Sequence, residues 1–556
     1  MTRSLLSLSW GPMPALSWLA LAVFAGLLYG VNLGGASALT DHEMLVGGVA
    51  KQMARDGTWG MLWIGDRPWL EKPPLPHSLA ALSGLAWGGF DEVAVRFPFA
   101  VAGVGVVLVT AWLAASWYGA TVGLLAGLIQ ASTLYMLKYA RLAEAEILLL
   151  LIVAGALAAF WRMHAAAAAG RSPARARLLF WALLGLTNLV KGPGFGAFFV
   201  VATVAGWLLW RRDRAGIRRL WSPAGIGLAV AVSLLWPAIV AVQGHGGTLV
   251  DEWWMHTVTR GAGDFGDPEP PWYYPVAMLW QMLPWTPLLL AGAGPSLARA
   301  WRNRDAPDRF VWCWGVLPVA LLSVPAVKHH QYILHALPAF APVMALGLVR
   351  IGGWYAGLPD RWRARSAGAA LAAAGALLAG SAVGGAVWWD YRAEAWLVGG
   401  ALALGIAAMG LALRRRRIAG MGVALMVMLL LIGVILRSDL IPRRDPSGPD
   451  RNFLLRVAEQ VPDDAPLVAT GGTAIARHVF YVDRPVTGVW SPAAVPAPAD
   501  GPVFVIAQAR DAATLAALGP LAPLDQSARA RFERSPEDRY TLYRIDPPPA
   551  AAAAAE

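Results

Sequence analysis

The sequence predicts an all-α polytopic membrane protein of about 13 transmembrane helices, with a small α/β domain outside the membrane toward its C-terminal end. Three observations predict it. Hydrophobic residues make up 57% of the 556 residues and charged ones only 15%, with a mean hydropathy of +0.50, whereas soluble domains are about a quarter charged. Apolar runs of the roughly 20 residues needed to cross a hydrocarbon layer recur along the chain. The basic residues are grouped in short clusters between those runs, the pattern of cytoplasmic loops. The net charge of +11 is therefore read as loop charge, and nucleic acid is not expected as a partner.

The apolar runs have approximate limits 15–33, 99–117, 120–136, 147–163, 174–190, 193–210, 226–242, 274–293, 310–327, 332–349, 367–387, 396–413 and 418–436. The first is too long for the core of a signal peptide and lacks a cleavage site before Asp41, so it reads as an uncleaved span. Five clusters, around Arg171–Arg177, Arg211–Arg219, Arg299–Arg309, Arg361–Arg365 and Arg414–Arg417, all fall on one side if the N-terminus is cytoplasmic. That assignment sends loop 36–98, Arg141–Glu146, Lys191, loop 244–273, Lys328–His330 and everything after Arg437 to the opposite, outer face. The domain division is then 1–437 for the transmembrane part with its first periplasmic loop at 36–98, 438–546 for the small α/β domain, and 547–556 for a low-complexity, disordered tail. In the small domain an amphipathic helix is expected near Phe453–Val461 and strands near Leu467–Thr470, Val503–Ala507 and Tyr540–Ile545.

The polar residues that look chemical share the outer face. Asp41 and Glu43 follow the first span directly, and either can act as a general base or anchor an acceptor; a plain helix cap is the bland alternative. Leu45, Val49 and Met53 recur at helical spacing, which lays an amphipathic helix in the interface. In Glu71-Lys72-Pro73-Pro74 the prolines stiffen the backbone and present a cation beside a carboxylate at a fixed place, suited to a departing phosphate. A surface ion pair is the alternative. Arg96 closes this loop. Arg141, Glu144 and Glu146 lie between two spans, where ionisable groups are costly and usually functional. Lys191, with Gly192-Pro193, interrupts an apolar run; it binds an anion or snorkels as an anchor. His256 and Arg260 stand one turn apart and can face a phosphate together, or belong to a solvated loop. Lys328-His329-His330 with Tyr332 and His335 lacks a carboxylate at ligand spacing, so no metal site is expected there and a bound divalent ion is the less favoured reading. The single Cys313 excludes a disulfide framework.

Taken together, Asp-x-Glu at Asp41, Gly-x-Trp at Gly57, Glu-Lys-Pro-Pro-Leu at Glu71, Arg-x-Pro at Arg96, Arg-x-Ala-x-x-acid at Arg141, Lys-Gly-Pro at Lys191 and Lys-x-x-x-Tyr at Lys328 resemble the aminoarabinose transferases of lipid A. They also resemble the related protein O-mannosyltransferases, all of the GT-C glycosyltransferase class. The resemblance covers Asp41 to about Val349. It implies a GT-C fold in the bacterial inner membrane and inverting transfer of a sugar from polyprenyl (undecaprenyl) phosphate, without a cofactor, to a lipid or glycan acceptor such as lipid A on the periplasmic face, among membrane lipids. It implies catalytic roles for Asp41 or Glu43 and for Glu146, and donor-phosphate contacts for Lys72 and Lys191; the reading of the residues adds Glu71, Arg260 and Lys328 to the donor-phosphate set. Arg96, Arg141 and Tyr332, which stand in the matching motifs, and His256, from the reading of its loop, are the acceptor-side or supporting candidates. His42 separates the two first-loop acids, Glu146 stands where an aspartate is usual, and His329, His330 and His335 replace apolar residues and a proline. A protein hydroxyl is the alternative acceptor. A transporter or flippase of a lipid-linked sugar is the rival class, disfavoured because no internal repeat is visible.

Overall fold

The computed structural model describes residues 12–35, 37–255, 268–387, 392–415, 418–443, 445, 447–499, 501–529 and 535–548. The chain divides into two compact units. One comprises residues 1–32, 71–73 and 99–440; the other comprises 33–70, 74–98 and 441–556. The first loop, assigned from the sequence to the transmembrane part, thus falls largely with the C-terminal segment.

The first unit is helical. Among the described residues seven helices are long and apolar enough to cross a membrane, and an eighth span is obtained if Tyr273–Gln281 and Thr286–Arg302, bent by 115°, count as one. Ala15–Gly30, Ala120–Ser132 and Phe195–Arg211 are apolar but shorter. The expected span at 332–349 begins as a 3-10 helix over His330–Ala339 before continuing as Phe340–Ala356.

An aromatic cluster fixes the part of this unit that matters for function. Phe160 stacks on Phe310 at 5.9 Å and 11°, and Trp207 meets Phe160 edge-on at 5.4 Å, both within the preferred range for ring pairs. These rings tie helix Ala145–Ala168 to Phe195–Arg211 and Asp308–Leu322. Gly196 allows the close approach, because a Cβ there would stand 2.6 Å from Leu149 and 2.7 Å from Thr187. Glu146 lies in the first turn of the first of these helices, and Lys191 lies just before the second.

The second unit begins with helix Asp41–Asp56, started by a full capping box: Thr40 Oγ1 accepts the Glu43 N–H at 3.3 Å and Glu43 Oε2 accepts the Thr40 N–H at 3.0 Å. A hairpin of β1 (Trp63–Ile64) and β2 (Arg67–Pro68) and helix Leu75–Trp87 follow. After helix Gly448–Gln460 come β3 (Leu467–Ala469), β4 (Thr487–Gly488), β5 (Val503–Gln508), β6 (Leu521–Gln526) and β7 (Tyr540–Ile545). They form one sheet in the order β4-β3-β5-β7-β6, with β3 parallel to β4 and β5 and the remaining pairs antiparallel. Val468, Val505, Ala507, Leu515 and Ile545 form its core. β3, β5 and β7 coincide with the three apolar runs. β4 is two residues long, and β6 carries Pro523 with a bulge before Asp525, so neither gives a strand pattern in sequence.

Side-chain bonds explain why the first loop folds with the C-terminal segment. Tyr481 Oη accepts the Leu39 N–H at 2.8 Å and donates to Glu92 at 3.1 Å, and Lys51 Nζ donates to the Phe480 carbonyl at 2.9 Å.

His478 of helix Ile475–Tyr481 is fully buried, neither ring nitrogen has a hydrogen-bond partner among the described residues, and burial pushes its pKa from 6.5 to about 3. The unfolded chain therefore binds one proton more than the folded one between these values. The contribution of His478 to the stability of this unit is full above about pH 6.5 and should be lost on acidification by about 1.4 kcal/mol per pH unit. Amide exchange of the β3–β7 peptides from pH 7 to 5 should show opening increase in the wild type and a flatter profile in His478→Leu; identical profiles would remove this account.

Candidate functional site

The site is built around a break in the chain. Helix Ala174–Leu186 gives way to the single turn Asn188–Lys191, and Gly192 follows at φ 87° and ψ −177°, a conformation essentially restricted to glycine. The turn is braced by Asn188, whose Oδ1 accepts the Gly194 N–H at 2.7 Å and whose Nδ2 donates to Ser233 at 2.8 Å. Lys191 is thereby held rigidly where an apolar run is interrupted.

Its ammonium lies 2.5 Å from Glu146 Oε1, with both side chains largely buried. It also stands 4.6 Å from the centre of the Phe195 ring and 4.8 Å from that of Tyr332, within the range of cation–π attraction. Tyr332 reaches this position from the 3-10 turn, and its ring meets Phe195 at 5.1 Å. Glu146 belongs to the first turn of its helix, where the dipole favours a carboxylate. Lys72 pairs with Glu71 and its side chain remains 33% exposed, so it can meet a ligand.

Glu71, Lys72 and Lys191 line one cavity of about 370 Å³ together with Phe195, Trp253, Tyr274, His329 and Tyr332. Two ammonium groups in one aromatic-walled cavity suit an anionic head joined to a ring or chain: the cations meet the charge and the rings meet the apolar or sugar faces.

Other residues singled out from sequence lie in different surroundings. Glu43 is fully buried; Arg96 grips it through Nε at 2.7 Å and Nη2 at 3.0 Å, and its remaining donors go to the carbonyls of Leu33, Ser37 and Ala38 at 3.0 Å. This is a buried bidentate pair inside the second unit, and it gives both residues a packing role in place of the solvent access expected for a catalytic acid. Asp41 differs: its side chain is 91% exposed while it touches Arg477, which also pairs with Asp450 at 2.5 Å. Burial holds the Asp450 carboxyl above its usual range, with Arg477 opposing.

Arg141 donates to the carbonyls of Tyr29, of Val31 at 2.9 Å and of Asn32 at 2.8 Å. It caps the end of the first helix in place of an acceptor contact. Lys328 is also buried and spends its ammonium on the carbonyls of Glu269 at 2.7 Å and Pro325 at 2.6 Å. It braces its loop, while its neighbours Val327 and His329 line the cavity. His256 and Arg260 lie outside the described residues. Among the described residues no three of His, Cys, Asp and Glu are grouped as a metal ion would require.

Of the aromatic wall, Tyr274 belongs to Trp272-Tyr273-Tyr274, which reads from sequence as an interfacial belt, while sequence reasoning passes over Phe195 and Trp253. Phe195 stands four residues after Lys191 across the Gly-Pro-Gly break, a usable signal. Trp253 carries no such local signal.

Comparison with known proteins places the chain among relatives. Residues 71–240 match the family model described as dolichyl-phosphate-mannose-protein mannosyltransferase. Two curated relatives, both named undecaprenyl phosphate-alpha-4-amino-4-deoxy-L-arabinose arabinosyl transferase, come from Erwinia tasmaniensis (26% identical, 59% of this chain, 58% of the relative) and Pseudomonas savastanoi pv. phaseolicola (29%, 60% and 61%). The chain thus spans about three-fifths of their length. The crystal structure of ArnT from Cupriavidus metallidurans bound to undecaprenyl phosphate superposes with a TM-score of 0.74 at 18% identity, over 95% of this chain and 98% of that one. The apo form of that protein gives 0.72 at 20% identity with the same coverage. By fold, then, the chain is a polytopic helical membrane protein that shares the architecture of ArnT, and by sequence it is similar to the undecaprenyl phosphate-aminoarabinose arabinosyl transferases and, over residues 71–240, to the protein mannosyltransferases.

Proposed function

We propose that this protein is an inverting glycosyltransferase of the bacterial inner membrane, moving a sugar from undecaprenyl phosphate to lipid A or another envelope glycan at the periplasmic face. The observation that carries the reading is that Lys72 and Lys191, far apart in sequence, line one aromatic-walled cavity. In such a transfer the acceptor hydroxyl attacks the anomeric carbon from the face opposite the phosphate. The bond from that carbon to the phosphate oxygen breaks, and negative charge builds on the leaving phosphate. Lys72 and Lys191 are assigned to stabilise that charge, so the transfer is derived without a cofactor. Glu71 and Glu146 hold the two ammonium groups in place, and Tyr332 and Phe195 frame Lys191.

Asp41, the exposed acid of the first loop, is assigned the role the resemblance implies, accepting the acceptor's proton or anchoring the acceptor. Its replacement supplies the test. Asp41→Asn should insert and fold normally yet lower transfer by about two orders of magnitude, read by mass spectrometry of lipid A and envelope glycans from cells producing each form. Unchanged glycans in cells lacking the protein altogether would count against the whole reading. The match of residues 71–240 to protein mannosyltransferases favours one second reading, a protein hydroxyl as acceptor, which glycoproteomics of the same cells would reveal. The topology that accompanies the proposal has about 13 spans, a cytoplasmic N-terminus and the β3–β7 sheet in the periplasm.

A further inference from the structure

We propose that a second cavity, remote in sequence from the donor-site lysines, binds one acyl chain of an anionic glycerophospholipid whose phosphate is taken by Arg363. The cavity measures about 320 Å³ and lies within the first unit. Phe24, Leu128, Ile351, Met409, Met421 and Leu425, from five different helices, supply much of its wall. An apolar cavity of roughly 150 Å³ stays dry and takes a benzene-sized guest, so this one has room for a stretch of hydrocarbon chain. Methionines adapt their shape to an irregular guest.

The few polar groups are placed as such a lipid requires. Ser132 Oγ is occupied by Trp285 Nε1 at 3.0 Å, leaving that part of the wall without an unmet polar demand. Tyr355 and Arg363 form the other polar group, at the point where one apolar helix ends and the next begins at Asp360. The Tyr355 hydroxyl is hydrogen-bonded to Ser366 at 2.9 Å, and the Arg363 side chain, paired with Asp360, is 12% exposed. Arg361 and Arg365 stand two residues to either side in the same helical turn and a half, so this helix start carries three guanidinium groups and one carboxylate, Asp360, within six residues. That surplus of positive charge at a headgroup level attracts an anionic phosphate. A zwitterionic lipid offers the same chains without the net charge, which is why the proposal commits to an anionic one.

Gly422 lines the cavity and has no atom within 4 Å of a built Cβ, so a large side chain can enter the space without displacing backbone. The test uses full-length protein, delipidated in detergent and titrated with phosphatidylglycerol or phosphatidylcholine of identical chains, with bound lipid counted by native mass spectrometry. The wild type should retain one phosphatidylglycerol, preferred about five- to tenfold over phosphatidylcholine. Gly422→Phe should lose it, Gly422→Ala should keep it, and Arg363→Gln should keep a lipid without the preference. Retention by Gly422→Phe, equal retention of both lipids by the wild type, or displacement of the bound lipid by undecaprenyl phosphate would each overturn the proposal. Should Gly422→Phe fail to fold, Arg363→Gln decides alone: a lost preference supports the site, and a kept preference overturns it.

Discussion

Lys191→Met should lower transfer by two to three orders of magnitude while the protein still inserts. The ammonium sits on a turn that only glycine at position 192 can close, between two rings and against Glu146, a placement that Lys72, exposed on its own corner, does not reproduce. Loss of one preorganised group aimed at developing charge costs about 2.7–4 kcal/mol. Because that charge is larger in the transition state than in the bound donor, the loss should fall mainly on kcat. Lys191→Arg should recover part of the rate: it keeps the charge, but the planar fork does not match the space of a point charge between two rings. A single-turnover assay with purified protein and a lipid-linked sugar measures both. A rate within a factor of three of wild type in Lys191→Met would show that the phosphate is gripped elsewhere.

The second large effect is on folding. Arg96→Met should leave a fully buried Glu43 carboxylate without its counterion and several carbonyls without a donor, a loss of about 3–5 kcal/mol. That is a sizeable share of the 5–15 kcal/mol by which whole domains are stable. The variant should therefore be degraded or become protease-sensitive in the second unit, and Glu43→Gln should follow it in the same direction. Asp41→Asn, two positions away on the same helix but exposed, should not. Limited proteolysis of the three proteins separates the outcomes. If Arg96→Met resists protease like the wild type and loses only transfer, the pair belongs to the chemistry and not to the architecture.

These contrasts show what the sequence could and could not reveal. Lys72 and Lys191 were legible because each stands where a local rule is broken: a proline-stiffened corner in one case, an apolar run cut by Lys-Gly-Pro in the other. Glu43 and Asp41 were not separable, because the partner that buries Glu43 lies 53 residues away and the one that touches Asp41 lies 436 residues away. Lys328 looked as free as Lys72, yet backbone carbonyls in its own loop absorb its donors. No residue pattern announces that. The helical membrane architecture followed directly from composition, since a chain this apolar can satisfy its backbone in lipid only by helices or a closed barrel. The joining of the first loop with the C-terminal segment rests on bonds such as Tyr481 to Glu92, 389 residues apart, and leaves no local trace.

The central claim is that two lysines hold one lipid phosphate, and equilibrium binding of undecaprenyl monophosphate tests it most directly, without requiring the sugar or the acceptor to be known. Titrated into purified wild type, Lys72→Met and Lys191→Met in the same detergent, the lipid should bind wild type at one site, weaken with added salt, and bind each variant at least about tenfold less tightly. Equal affinity in all three proteins, unaffected by salt, would contradict the account.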